Sequence, residues 1–140
     1  MNQIISAALD KGRAQLNEVE AKQLLASAGV PVAETQLAIT ADEAVNAAEE
    51  IGYPVVMKIV SPEIAHKSDV GGVVVGVENS DDVRSIFEEI NRSVADKAPQ
   101  AEIDGVAIQA MVPQGTEIIV GSTTDEQFGP VMMFGLGGVF

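Results

Sequence analysis

The sequence predicts an α+β domain. Three observations carry this: helix-start and helix-stop signals recur along the chain, short β-branched runs lie between them, and several neighbouring runs are joined by loops where a parallel sheet would need crossover helices. There is no internal repeat.

The opening residues, MNQIISAALDKGRAQ, have no basic flank ahead of a long apolar block, so they read as an N-terminal extension over 1–15 and not as a signal peptide. Residues 16–140 then read as one module. A helix is predicted over Asn17–Val30: Asn17 caps it with Glu20 three residues on, Ala21, Leu24, Leu25 and Ala28 share a face, and Gly29 and Pro31 stop it. Val32–Ile39 is a short strand. Thr40 with Glu43 opens a second helix, which Ala44, Val45, Ala48 and Ile51 continue and Gly52 and Pro54 end. PVVMKIV, over Pro54–Val60, is a strand, and residues 61–71 lead by a long loop into another, Gly72–Val77. A third helix starts at Asn79 or Ser80, with Val83, Ile86, Phe87, Ile90 and Val94 as its apolar stripe, and stops before Pro99. Strands over Val106–Met111, Thr116–Gly121 and Val131–Phe134 complete the set, the first two joined by MVPQG.

Composition bounds the function. A net charge of −13 disfavours nucleic acid and anionic membranes as partners. No apolar run reaches the roughly 18 residues of a membrane span. The absence of cysteine removes thiolate metal sites and points to the cytoplasm. Cations are sparse: between Lys22 and Arg84 only Lys58 and Lys67 are positive, so these two are the expected anchors for any anion. The chain ends on the apolar VMMFGLGGVF, an unusual finish for a domain, so a fragment, or an end covered by a partner segment, is expected. GLGG, at 135–138, is not followed by the helix that a dinucleotide fingerprint requires.

Four places are candidates for chemistry. Lys58 lies in an apolar strand and faces either solvent or a cleft where its point charge would hold phosphate. HKSDVGG lacks the spacing of a P-loop, but Gly71 and Gly72 would let backbone N–H groups approach phosphate, with Lys67 adding charge and Ser68 a donor. His66, the chain's only histidine, is either a solvated loop residue or a nucleophile or acid–base group. Without a second histidine or an HExxH motif, no zinc site is expected. Glu117 opens the strand TEIIVG and faces either solvent or a ligand.

Three segments, LNEVEAKQLLASAGVPV, PVVMKIVSPEIAHKSDVGGVVVGV and IQAMVPQGTEIIVGSTTDEQFGPVMMFGLGGVF, together resemble the ATP-grasp module of ADP-forming (NDP-forming) acyl-CoA synthetases such as acetyl-CoA synthetase. The resemblance runs from Leu16 to Phe140. Its most specific part is a strand lysine, then S-P, then H-K-S-D-x-G-G-V. It implies the N-terminal part of an ATP-grasp fold, with ATP or ADP clamped between two α+β subdomains. By the same resemblance Lys58 contacts the nucleotide phosphates, the stretch Gln109, Ala110, Met111 and Val112 is a hinge whose backbone reads adenine, and Glu117 lies at the nucleotide pocket. His66 carries phosphate between the nucleotide site and the CoA-ligase part, with Gly71 and Gly72 as the glycine pair behind it. The family's module continues beyond the FGLGGVF segment, and that continuation holds its Mg2+ ligands, so magnesium binding is expected outside this chain and the chain alone is expected to be inactive. The partner implied is a CoA-binding ligase subunit or domain, in an oligomeric enzyme. Two other readings stay open: a docking module without nucleotide affinity, and another ATP-grasp carboxylate ligase of the succinyl-CoA ligase kind.

Overall fold

The computed structural model describes residues 3–64 and 66–137. Its elements follow the chain as α1 (Gln3–Asp10), α2 (Glu18–Ser27), β1 (Thr35–Ala38), α3 (Ala41–Ile51), β2 (Val55–Val60), β3 (Val73–Val77), α4 (Ser80–Lys97), β4 (Gly105–Ala110), β5 (Ile118–Asp125) and β6 (Gly129–Leu136). The first four strands form one sheet in the order β1-β4-β2-β3, every neighbouring pair antiparallel. Among the described residues β5 and β6 pair only with each other. The α+β expectation is met, and each expected strand is present.

The helix starts are set by side chains that take up otherwise unpaired backbone N–H groups. At α2 the capping box is complete: the Glu20 N–H donates to Asn17 Oδ1 at 2.9 Å and the Asn17 N–H donates to Glu20 Oε2 at 2.9 Å. At α3 the exchange is offset. The Glu43 N–H donates to Thr40 Oγ1 at 3.2 Å, but the Glu43 carboxylate accepts from the Ile39 N–H at 2.8 Å, one residue before the cap. At α4 Asn79 Oδ1 accepts from the Asp82 N–H at 2.9 Å.

α3 and α4 cover one face of the sheet. Val55, Met57 and Ile59 of β2 and Val106 and Ile108 of β4 point into that side and are fully buried against Ala44, Ala48, Val83, Ile90 and Val94. Fully burying one such side chain is worth about 1.5–3 kcal/mol, so this layer supplies most of the adhesion. Small residues on α3 (Ala44, Ala47, Ala48) let that helix sit close. The intervening residues, Val56, Lys58 and Val60 of β2 with Ala107 and Gln109 of β4, necessarily lie on the other face. There Val19 of α2 packs with Val60 and Ala107 in a small second cluster.

Two expectations change. α2 is seated through Val19, near its start; Leu25 is 46% exposed and Ala28 is exposed, so the stripe Ala21, Leu24, Leu25, Ala28 is not its buried face. The N-terminal extension contains the helix α1, which starts without an acidic first turn and buries only Ala8. Gly138 of the GLGG stretch and the apolar end at Val139 and Phe140 lie outside the described residues. Among the described residues no helix is long and apolar enough to cross a membrane.

Candidate functional site

The β2–β4 register places Lys58 opposite Ala107 and Val56 opposite Gln109. Lys58 and Gln109 are therefore diagonal neighbours on the sheet face that α3 and α4 leave free. The Lys58 Nζ donates to Gln109 Oε1 at 2.9 Å and to Glu18 Oε1 at 2.9 Å. Glu18 is the first residue of α2. One turn later Lys22 donates to the same Glu18 oxygen at 3.0 Å, to Thr35 Oγ1 at 3.1 Å and to Gln109 Oε1. Two ammonium groups thus converge on one carboxylate oxygen and one carboxamide oxygen. The side chains of Lys22, Lys58 and Glu18 are each about a quarter exposed. Burial pushes the Glu18 carboxyl up, but hydrogen bonds from Lys58 and then Lys22 outweigh it and hold the group below the usual carboxylate range.

Neither Glu18 nor Lys22 was among the expected site residues. The i,i+4 spacing of an acid and a lysine on one helix is visible in the sequence. That the pair lies across a lysine 36 residues further on, from Lys22 to Lys58, depends on how α2 is laid on the sheet. Of the two expected anchors, Lys58 shares its acceptors with Lys22. Lys67 instead lines a cleft of about 400 Å³ together with Arg13, Asn17, Glu18, Ser61 and Asp104. Glu18 belongs to both settings, so it links the loop after β2 to the lysine pair. Arg13 closes the far wall, bound to Glu20 by two hydrogen bonds of 2.5 and 2.8 Å.

The loop between β2 and β3 carries His66, Lys67, Ser68, Gly71 and Gly72. His66 and Ser68 are exposed and Lys67 is half-buried. The loop closes on itself: the Gly71 N–H donates to the Ser68 carbonyl at 3.1 Å, the Gly72 N–H to the Lys67 carbonyl at 2.7 Å, and the Gly72 carbonyl accepts from the Ile59 N–H at 2.7 Å. Ser93 Oγ of α4 donates to the Val70 carbonyl at 2.8 Å. Packing accounts for both glycines. Gly71 has φ +70°, and a Cβ there would stand 2.7 Å from Ser93 Oγ; at Gly72 a Cβ would stand 2.5 Å from Ile59 Cγ2. Their N–H groups are engaged within the loop, so the loop groups that could reach an anion are side chains such as Lys67 and Ser68.

Beyond β4 the chain opens out. The Ala110 N–H donates to the Glu34 carbonyl at 2.9 Å, Met111 is 41% exposed and Val112 63% exposed. Val112 and Glu117 line one open hollow with Pro113, Thr116 and Gly137. The Glu117 carboxylate is exposed, and its backbone carbonyl accepts from the Gly137 N–H at 2.9 Å. The fold therefore brings Lys58 and Gln109 together and, separately, Val112 and Glu117. Among the described residues no group of three His, Cys, Asp or Glu side chains is placed to hold a metal ion.

The model of the ATP-grasp domain family matches residues 7–140. The beta subunit of the ADP-forming acetate–CoA ligase II of Pyrococcus furiosus is 48% identical over 137 residues, an overlap of 98% of this chain and 58% of that protein. Among solved structures, the dinucleotide-forming acetyl-coenzyme A synthetase 1 of Ca. Korarchaeum cryptofilum, in complex with coenzyme A, Ca-AMPCP and HgCl+, superposes with a TM-score of 0.92 at 49% identity, covering 98% of this chain and 60% of that one. The same synthetase with coenzyme A, acetyl-coenzyme A and a phosphorylated phosphohistidine segment gives a TM-score of 0.88 at 46% identity. The chain thus spans 58% of the length of the Pyrococcus subunit it matches.

Proposed function

Because this chain belongs to the ATP-grasp domain family, we propose that it is the nucleotide-binding portion of an ADP-forming acyl-CoA synthetase of the acetyl-CoA type. The complete enzyme interconverts acyl-CoA, ADP and phosphate with the free acid, CoA and ATP. The observation that carries this reading is the Lys58 ammonium, held on the sheet face opposite α3 and α4 by Glu18 and Gln109 and still about a quarter exposed, enough to meet a polyphosphate. Lysine suits this work as a compact charge with three donors. In the same proposal the backbone at Gln109, Ala110, Met111 and Val112 reads adenine and Glu117 borders its pocket. Residues 16–140 form the ATP-grasp part and 1–15 an extension. Magnesium, in the same proposal, is held by residues outside this chain. The remaining partner is a CoA-binding subunit or domain of an oligomeric, cytoplasmic synthetase.

His66 is the phosphate carrier in this scheme. A neutral imidazole nitrogen attacks the phosphorus of an acyl phosphate, the N–P bond forms, and the P–O bond to the acid breaks to release carboxylate. A terminal oxygen of ADP then attacks the same phosphorus, and the N–P bond breaks to give ATP and free imidazole. Two things support the assignment: this chain has a single histidine, exposed in the loop beside Lys67, and the related Korarchaeum synthetase carries a phosphohistidine segment.

Calorimetric titration of ADP into the complete enzyme tests the nucleotide reading. Lys58→Ala should weaken ADP roughly ten- to a hundredfold, the worth of a charge-assisted contact. Unchanged affinity in a folded variant would return Lys58 to a purely structural role. His66→Ala should leave ADP affinity near that of the wild type and abolish most ATP formation, with acid-labile label from radioactive phosphate lost from the His66 peptide. Full ATP synthesis by that variant would remove His66 from the path.

A further inference from the structure

We propose that Lys22 is a second phosphate-contacting cation of the nucleotide site and that Glu18 is the counter-ion that holds its place beside Lys58 until phosphate arrives. The proposal rests on the nucleotide reading above and deepens it.

Both ammonium groups donate to the same two oxygens, Glu18 Oε1 and Gln109 Oε1. Groups that share two acceptors lie side by side, as two cations must to grip neighbouring phosphates. Two like charges at such spacing repel, and in this acidic chain one carboxylate offsets that repulsion. Thr35 Oγ1 accepts from Lys22 as well, and its own hydroxyl donates to the Ala33 carbonyl, so the hydroxyl lone pair stays aimed at the lysine. Lys22 is thereby tied to β1, α2 and β4 at once, a degree of fixation that a surface lysine covering its own helix would not need.

Charge balance decides what Glu18 does. Two lysines and one carboxylate leave a net single positive charge. A nucleoside diphosphate brings several negative charges and exceeds a carboxylate as a partner for both ammonium groups. Phosphate oxygens therefore take over the positions of the Glu18 oxygen, and the carboxylate, a quarter exposed, turns to solvent. Glu18 lowers nucleotide affinity in this account while keeping the empty site assembled. Gln109, being neutral, stays and keeps both lysines aligned.

The test uses the complete synthetase and isothermal titration with two probes, ADP and adenosine, at low and high salt. Wild-type binding of ADP comes first; if none occurs, the nucleotide reading and this proposal fail together. Given wild-type binding, Lys22→Gln should weaken ADP roughly ten- to a hundredfold, leave adenosine within about twofold, and flatten the salt dependence of ADP affinity. Lys22→Arg, which keeps the charge, should recover most of the loss. Glu18→Gln, which retains an acceptor oxygen for both lysines, should tighten ADP by about threefold or more, again without effect on adenosine. Unchanged ADP affinity in Lys22→Gln, or equal losses for ADP and adenosine, overturns the role of Lys22 while leaving the Lys58 reading standing. If Lys22→Gln fails to fold, Glu18→Gln decides alone, and unchanged or weaker ADP binding there rejects the proposal.

Discussion

The four-stranded sheet and the β5–β6 hairpin are built from similar residues and end in opposite conditions. In β2 every second residue is sealed against α3 and α4, and Val55, Met57 and Ile59 are fully buried. In the hairpin no described residue is buried, and Phe128, Met132 and Phe134 are 79%, 73% and 73% exposed. The patterns already differ in kind. β2 has one lysine among its apolar residues, which marks a face with a separate task. Ile118, Ile119 and Val120, like Val131, Met132, Met133 and Phe134, are apolar without alternation, the pattern of strands that are covered on both faces. The difference teaches that a buried face does more than stabilise. By fixing the register of β2 it fixes where Lys58 points, because a slip of one residue would move every side chain to the other face. Among the described residues no buried face sets the hairpin in this way, and Glu117 and the residues directly after Val112 are exposed.

The largest effect that would sharpen this contrast is on folding. Ile108→Ala, in the buried layer of β4, should cost about 2–5 kcal/mol, and Phe134→Ala, of greater volume but exposed, less than about 0.5 kcal/mol. Urea denaturation of both variants checks this, and equal losses would mean that the hairpin has a core after all. Next in size is Gly72→Ala. A methyl 2.5 Å from Ile59 Cγ2 must displace β2 or the loop, at about 1–3 kcal/mol. Its crystal structure should show Ile59 displaced, and a wild-type melting curve would dispose of the packing explanation.

Smaller effects come from charge. Glu20 is held below the usual carboxylate range by its hydrogen bond from Arg13, and Asp125 by the backbone N–H groups of Phe128 and Gln127. A depressed carboxyl stabilises the fold above the pKa of the unfolded chain, and that contribution is lost as pH falls through the lower, folded value. Acidification below about pH 4 should therefore loosen both places. At Glu20 the loss should stay under about 1 kcal/mol, since the pair is partly exposed. NMR shifts through the titration would separate the two regions: α2 should respond with Glu20 and the β5–β6 turn with Asp125, and a single transition shared by both would contradict their independence. Smallest of all is Met111→Leu at the proposed hinge, where the side chain is 41% exposed and the reading proposed above uses the backbone. It should change stability by less than about 0.5 kcal/mol, and, if adenine is read by the backbone, ADP affinity by no more than that same amount, about two- to threefold. A large loss of affinity there would show that adenine is held by the side chain.

Much of the fold was legible because its signals are local. Asn17, Thr40 and Asn79 mark helix starts on their own, and the β-branched runs mark strands. α1 was missed because it lacks such marks. Of the candidate site, Lys58 and His66 stood out in the sequence as a lysine in an apolar strand and a single histidine. Glu18 and Lys22 did not, since their meaning arises from a contact with Lys58 across 40 and 36 residues. The glycine pair was found for a different reason from the one that its packing gives: Ser93 and Ile59, distant in sequence, demand it.

The carboxamide of Gln109 has an orientation that its neighbours dictate. An ammonium group donates and never accepts, so the branch facing Lys22 and Lys58 must be the oxygen, and the NH2 occupies the other branch. Two cations thus set the polarity of a neutral group, and its NH2 is the branch left to donate. Glutamate at 109 would fill the same outline and still satisfy both lysines, yet it would offer oxygen on both branches. The residue is the same shape either way; the difference lies in the hydrogen atoms turned toward whatever comes to the sheet.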